Sequence, residues 1–270
     1  RLARRPLQCA HASMHRAWYH TVQANWSEAI AAGQASLLLC QGVGDKQLQA
    51  QASQRLGTAL AMTGRFDEAL PLLRAAEPWV QAHAGSQEAA EFEGNLAAVL
   101  DNMGRTAEAE PHHWRVIEVT RTLGDHAFLA TARANLAVNR LSAGLAGAAS
   151  EQLALAQQLV SSYNLKGGSA AFIAKLQAEA ERAHGHYVQA LAWCDEAEAR
   201  LAEANPLRLP AVFTLRAHVL LDMGQVARAQ QSLTRCDSAE LRPRMRAQYD
   251  LATGRLRLML QQDARPQLDA

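Results

Sequence analysis

Aromatic side chains are scarce in this chain, at 5% of 270 residues, although hydrophobic residues make up 49%. The apolar complement is therefore mostly alanine and leucine, which favour helix. Cysteine is scarce too. Cys9, Cys40, Cys194 and Cys236 form no C-x-x-C pair, and four thiols in this length exclude a disulfide framework. Reduced thiols in a cytoplasmic protein are the expectation. Long hydrophobic runs are absent: stretches such as Ser36-Leu-Leu-Leu-Cys40 fall far short of the roughly 18–20 residues that cross a bilayer. Charge of one sign is absent as well. With 27 basic and 26 acidic residues the net charge is +1, which argues against a nucleic-acid surface over the whole chain. Lysine occurs only at 46, 166 and 175, so the cations are nearly all arginine. Such arginine and alanine enrichment is what GC-rich coding produces. Proline and glycine are sparse and are expected at element boundaries.

A recurring turn dominates what remains. Met62-Thr-Gly64-Arg-Phe-Asp-Glu-Ala69 returns as Asn102-Met-Gly104-Arg-Thr-Ala-Glu-Ala109. Weaker copies centre on Gly144, Gly185 and Gly224, and Ala24-Asn-Trp-Ser-Glu-Ala29 precedes them all. The glycine spacings are 40, 40, 41 and 39. A period of this length signals stacked helical pairs, which overrides the two-domain expectation that length alone would suggest.

Each copy reads as two helices. Leu56, Gly57 and Leu60 lie on the packed face of a first helix from Gln47 to Met62. Gly57 is small enough to let a neighbouring helix approach. Gly64 allows positive φ at the turn, and Asp67 opens the second helix as an N-terminal acid. Phe66, Ala69, Leu73 and Ala76 form that helix's inner stripe, with Cys194 and Cys236 at matching core positions later on. Gly44-Asp45, Gly85-Ser86, Gly124-Asp125 and Gly168-Ser169 each read as a helix stop followed by a cap, and Asn205-Pro206 with Pro210 breaks the next junction. Six helix pairs follow, then a last helix near Arg244–Gln262, whose partner is missing around Pro266.

The run Leu56-Gly57, Leu60, Gly64, Phe66, Ala69, Leu73 and Ala76 resembles the tetratricopeptide repeat (TPR), whose usual period is about 34 residues. The longer period here is similar to the repeat domains of large bacterial transcription activators, and also to those of polarity adaptors and kinesin light chains. Arg140 and Glu181 depart from the pattern, standing where a large apolar residue is usual, and Ala24 replaces the turn glycine. The resemblance implies an all-α, right-handed superhelical solenoid over residues 1–270, one domain cut from a larger protein, since Arg1 opens the chain without Met.

In that family the first helix of each pair lines a concave groove. Transferred here, the groove carries Arg55 and Met62, Asn95 and Asn102, then Asn135, Asn139 and Ser142, and further along Phe172, Lys175, Glu179, Arg182, His218 and Asp222. Asn95 and Asn135 lie one repeat apart and would form an amide ladder that reads the backbone of an extended peptide. Lys175 and Glu179, four apart, could pair with each other instead, worth roughly 0.2–0.5 kcal/mol. The family's carboxylate clamp is not expected, because Gln54, Thr58, Gly94 and Ala98 occupy its positions.

No catalytic constellation is visible. His11 and His15 have helical metal spacing but no third ligand beyond Cys9. His112-His113-Trp114 and His184-Gly185-His186 read as structural. Ser161-Ser162 lack a base, Gly167-Gly168-Ser169 is no phosphate loop, and Asp67-Glu68 are helix-start acids. The C-terminal arginines 235, 242, 244, 246, 255, 257 and 265 could meet acidic partners, but Asp237, Glu240 and Asp250 dilute them. The expected function is non-catalytic recognition of a protein, peptide or small effector. It needs no cofactor or metal and touches neither nucleic acid nor membrane directly. The resemblance implies the sensor segment of a bacterial transcription regulator; a scaffold adaptor and an appendage of a signalling enzyme are the alternatives. A homodimer through the uncapped C-terminal end is a further expectation.

Overall fold

The computed structural model describes all residues except 1–3, 24, 83–84, 237–240, 242 and 269–270. The expectations for Ala24, Asp237, Glu240 and Arg242 lie outside the described residues, as do the side chains of Arg244 and Arg265. The described residues are all-α, an array of helix hairpins without strands. The elements are α1 (Arg4–Val22), α2 (Trp26–Val43), α3 (Lys46–Met62), α4 (Phe66–Ala82), α5 (Gln87–Asn102), α6 (Thr106–Leu123), α7 (His126–Ser142), α8 (Ala146–Ser162), α9 (Gly167–Ala183), α10 (Tyr187–Ala204), a 3-10 turn at Pro206–Arg208, α11 (Leu209–Asp222), α12 (Val226–Thr234) and α13 (Pro243–Leu268). Six successive pairs and a last helix match the count read from the repeat. The last helix runs on past Gln262. Two compact units divide the chain, Arg1–Ala149 and Ser150–Ala270.

In the first unit, hairpins α1/α2, α3/α4 and α5/α6 precede α7. The first helices touch one another in series, α1 on α3, α3 on α5 and α5 on α7. Among the described residues the second helices do not do so to a comparable degree. Closer approach on one side means that the first-helix side is the inner one. In the second unit α9 touches α11, and α11 touches α13, on the same principle.

Small residues make this nesting possible. A Cβ on Gly57 would sit 2.9 Å from Leu73 Cγ and 3.3 Å from the Ala69 carbonyl oxygen. Leu73, Ala69 and Ala76 are fully buried, as the inner stripe requires. Cys194 is fully buried and Cys236 nearly so. Burial pushes the Cys194 thiol up to about 12, which leaves it an inert hydrophobe.

The turn glycines adopt the left-handed conformation, with φ of 82° at Gly64, 75° at Gly104 and 78° at Gly144. An added Cβ at Gly104 would meet nothing within 4 Å. The cost of a side chain there is therefore purely conformational. Gly104→Val should destabilise the first unit by about 1 kcal/mol or more, and Gly104→Asn by less. Thermal unfolding of the two variants checks this.

Three of the four stop-and-cap junctions form as read. The Asp45 carboxylate accepts from the Gln47 and Leu48 amides, Ser86 Oγ from Ala89, and Asp125 from Phe128. The fourth differs. Gly167, not Gly168, has positive φ, Ser169 lies inside α9, and the turn after α8 uses Asn164 with φ of 47°. Asparagine tolerates this region through its short polar side chain. Proline also departs from the boundary expectation, because Pro71 and Pro78 lie inside α4 and Pro111 inside α6. Pro71 and Pro111 are one repeat apart and both are exposed. The carbonyl each frees lies on the solvent side, where water can satisfy it.

Candidate functional site

Helix register brings Arg55 of α3, Asn95 of α5 and Asn135 of α7 to the same repeat position on the inner side of the first unit. All three are half-buried. Asn95 Nδ2 donates to Thr58 Oγ1 at 3.2 Å, a bond that joins adjacent first helices and leaves the amide oxygen to accept. Asn135 makes no side-chain hydrogen bond among the described residues. Arg55 is the most unusual of the three. Its Nη1 is buried without a hydrogen-bond partner, and burial pushes its guanidinium below the usual value. No carboxylate pairs with it among the described residues. A desolvated cation without a counter-charge is costly, and an incoming anion would offset that cost.

Register also places Trp18 of α1 opposite Thr58 and Val22 opposite Met62. Trp18, Val22 and Met62 are 54%, 60% and 45% exposed. An apolar strip therefore runs beside the polar column. Asn102 is exposed, and its Nδ2 donates to the Ala98 carbonyl of its own helix at 2.7 Å.

Asn139 does not join this surface. It is buried, and its Nδ2 donates to Asp101 Oδ1 at 2.6 Å and to the Thr106 carbonyl at 2.9 Å. His113 Nε2 meets the other oxygen of Asp101 at 2.7 Å. Asn139 is thus a clasp between α7, α5 and the start of α6, with both of its amide hydrogens spent inside the fold. The signal that could have found it is the lone acid at 101, where the other copies carry Ala61, Leu141 and Arg182.

The neighbouring histidine, His112, turns to the other end of α5 and meets Glu93 at 2.5 Å, so the His112-His113 pair braces α6 on α5. Arg140 replaces an apolar residue by pairing with Glu110 at 3.0 Å and lying over the Trp114 ring at 5.5 Å. Glu181 departs in the same way and meets His186 at 2.8 Å.

In the second unit the expected groove residues are occupied with one another. Lys175 Nζ donates to Glu179 at 2.5 Å. Arg182 Nε donates to one oxygen of Asp222 at 2.6 Å, and Arg255 to the other at 2.6 Å. Burial pushes the Asp222 carboxyl upward, but hydrogen bonds from Arg182 and Arg255 outweigh it and hold the group below its ordinary value. His218 Nε2–H donates to the Gln248 carbonyl at 3.1 Å, while Nδ1 faces Arg255 at 3.4 Å, so the neutral ring fits the site. Burial and the Arg182 charge hold His218 below its usual value. A depressed histidine contributes stability that is full above its unfolded value and is lost as pH falls through that value. The second unit should therefore lose stability as pH falls below about 7, and His218→Gln should flatten that part of the profile. Melting temperatures across this window check it.

The second unit also holds a cavity of about 670 Å³ beside the 3-10 turn Pro206–Arg208. Phe172 and Lys175 line it, and so do Leu207, Arg208 and Met245, which reasoning from the repeat did not reach. The Asn205-Pro206 and Pro210 break was the available signal. It interrupts the regular hairpin and opens the space.

No family model matches the sequence, and no curated protein matches it. Solved structures do. A Rap protein complexed with competence and sporulation factor superposes with a TM-score of 0.66 at 15% identity, covering 95% of this chain and 76% of that one. A signal-transduction ATPase (STAND) protein with a TPR sensor from Pyrococcus horikoshii gives 0.66 at 13%, covering 84% of this chain; the match spans only 35% of that protein. A putative kinesin light chain with TPR-like repeats from Podosopora anserina gives 0.60 at 16%, covering 72% and 94%. The chain has the TPR-like fold. No helix among the described residues is long and apolar enough to cross a membrane.

Proposed function

We propose that this chain is a non-catalytic recognition module that binds an extended peptide bearing an acidic group on the inner face of its first unit. One observation carries the reading: the desolvated, unpaired guanidinium of Arg55 shares a repeat position with the amides of Asn95 and Asn135. The cation would take a carboxylate, the amides the peptide backbone, and Trp18, Val22 and Met62 an apolar side chain. The Rap neighbour, solved with a bound factor, supports this use of the fold by analogy.

An array of short acidic and neutral peptides tests it. Asn95→Ala with Asn135→Ala should weaken captured peptides by about tenfold or more, equal to roughly 1.4 kcal/mol, with no more loss of stability than the single Asn95–Thr58 bond accounts for, about 1 kcal/mol. Arg55→Gln should remove the preference for acidic over neutral peptides. Unchanged capture by both variants would refute the reading.

Beyond binding, the reading is a sensor segment of a bacterial transcription regulator acting in the cytoplasm. The neighbour with a TPR sensor in a signal-transduction ATPase supports this by analogy. The C-terminal arginines are poor candidates for phosphate contact, because Glu198 holds Arg235 and Asp222 holds Arg255. A ligand, peptide or small effector, would act only through different affinity for two arrangements of the helices. A helix-turn-helix or winged-helix segment in the same reading frame would support the regulator. A catalytic segment would support the enzyme appendage, and neither would support the scaffold adaptor. Exposed Leu251, Leu258 and Leu260 on α13 supply apolar surface for a homodimer, which sedimentation of Leu251→Glu with Leu258→Glu would abolish.

A further inference from the structure

We infer that the cavity of the second unit binds a small amphipathic anion, a carboxylate on an apolar body, at a site separate from the peptide face. The volume, about 670 Å³, is in the range of small-molecule sites and well beyond a packing defect. Its wall is largely apolar. Phe172 of α9, Phe213 of α11 and Met245 of α13 contribute to it, with Phe213 itself buried and therefore rigid.

The charge on the wall has one sign. Lys175, Arg208 and Arg235 line the cavity, and no aspartate or glutamate does so among the described residues. Two of these cations are already held. Glu179 takes Lys175, and Glu198 takes Arg235, whose guanidinium also lies 3.9 Å from the Phe213 ring centre. Arg208 differs. It is exposed on the 3-10 turn and forms no ion pair among the described residues. The uncompensated charge of the site is therefore at its mouth, beside an apolar interior. A neutral apolar ligand would leave that charge unused, and a cation would be repelled by the unpaired Arg208. An anionic head at Arg208 with an apolar tail against Phe172 and Met245 uses both features.

Local sequence explains why a cavity forms at this junction. At the three junctions before α7 a second helix passes to the next first helix through a side-chain cap. Here Pro206 and Pro210 replace that passage with a single 3-10 turn, which holds Leu207 and Arg208 out from α10 and α11. Leu207 is 79% exposed, an apolar flap at the edge of the opening.

Dodecanoate is the probe, titrated calorimetrically into the full 270-residue protein below its micelle-forming concentration. The expected result is saturable binding with a stoichiometry of about one, and no binding of dodecyltrimethylammonium, which has the same tail and the opposite charge. Arg208→Glu, a change at an exposed position, should weaken dodecanoate by about tenfold or more. Arg55→Gln, in the first unit, should leave dodecanoate affinity unchanged, so this site stands or falls independently of the peptide face. Absence of saturable binding would overturn the inference. So would equal binding of the two head groups, or an affinity that Arg208→Glu leaves intact.

Discussion

Leu73→Ala should cost the first unit about 2–5 kcal/mol, the range for removing a fully buried leucine. Leu73 is fully buried at the centre of the α3/α4 hairpin and packs into the notch that Gly57 leaves open. Its truncation removes apolar contact and leaves a cavity that the two helices can close only by tilting. Gly57→Ala should also destabilise, because the new Cβ would lie 2.9 Å from Leu73 Cγ and 3.3 Å from a backbone oxygen that cannot rotate away. The two changes are opposite faults at one contact, so they should not add. In Gly57→Ala with Leu73→Ala the new methyl enters the space that the leucine vacates. The double variant should be more stable than the sum of the singles implies, by about 1 kcal/mol or more. Equilibrium urea unfolding of the three variants reads the coupling. Strict additivity would mean that hairpin nesting does not depend on this glycine–leucine contact.

The same contact shows why so much of the fold is legible in the sequence. Position 57 and its equivalents are small, position 69 and its equivalents are alanine, and the turn glycine recurs at a regular spacing. These rules are local and repeated, so each copy checks the others. Hairpin boundaries, positive φ at the turn glycines and buried cysteines follow from them. What the rules miss is what does not repeat. Asn164 serves as a left-handed stop where Gly168 was expected, because a helix end needs only one residue that tolerates that conformation. Pro71 and Pro111 repeat, yet they break the rule that excludes proline from helices, since an exposed helix face lets water replace the missing bond.

Site residues were less legible for a related reason. Asn95, Asn135 and Asn139 look alike as letters on amphipathic helices. Only the three-dimensional neighbours separate Asn135, with no bonded partner among the described residues, from Asn139, which is committed to Asp101 and Thr106. Arg55 likewise gains its meaning from the absence of a pairing carboxylate among the described residues, a property of the assembled helices rather than of position 55. The cavity beside Pro206–Arg208 depends on an irregular turn, and periodicity carries no information about the place where it fails.

Asp101 is the second point of large effect. Its two oxygens accept from Asn139 of α7 and meet His113 of α6, so one side chain on α5 ties three helices. The side chain is only 16% exposed, and that of His113 only 5%. Asp101→Ala would leave the His113 nitrogen and one Asn139 amide hydrogen without their partner. The expected loss is of the order of 3 kcal/mol, larger than for truncating an exposed acid. Removing the orphaned groups should recover part of it. Asp101→Leu with His113→Phe and Asn139→Leu replaces the polar clasp by apolar contact of similar volume, and should be clearly more stable than Asp101→Ala alone. Asn139→Ala alone tests the assignment from the binding side. It should lower the melting temperature while leaving peptide preference on the Arg55 face intact, the reverse of what Asn135→Ala should do. If Asn139→Ala instead abolished peptide capture with unchanged melting, Asn139 would be a ligand contact and the clasp would have another arrangement in the bound state.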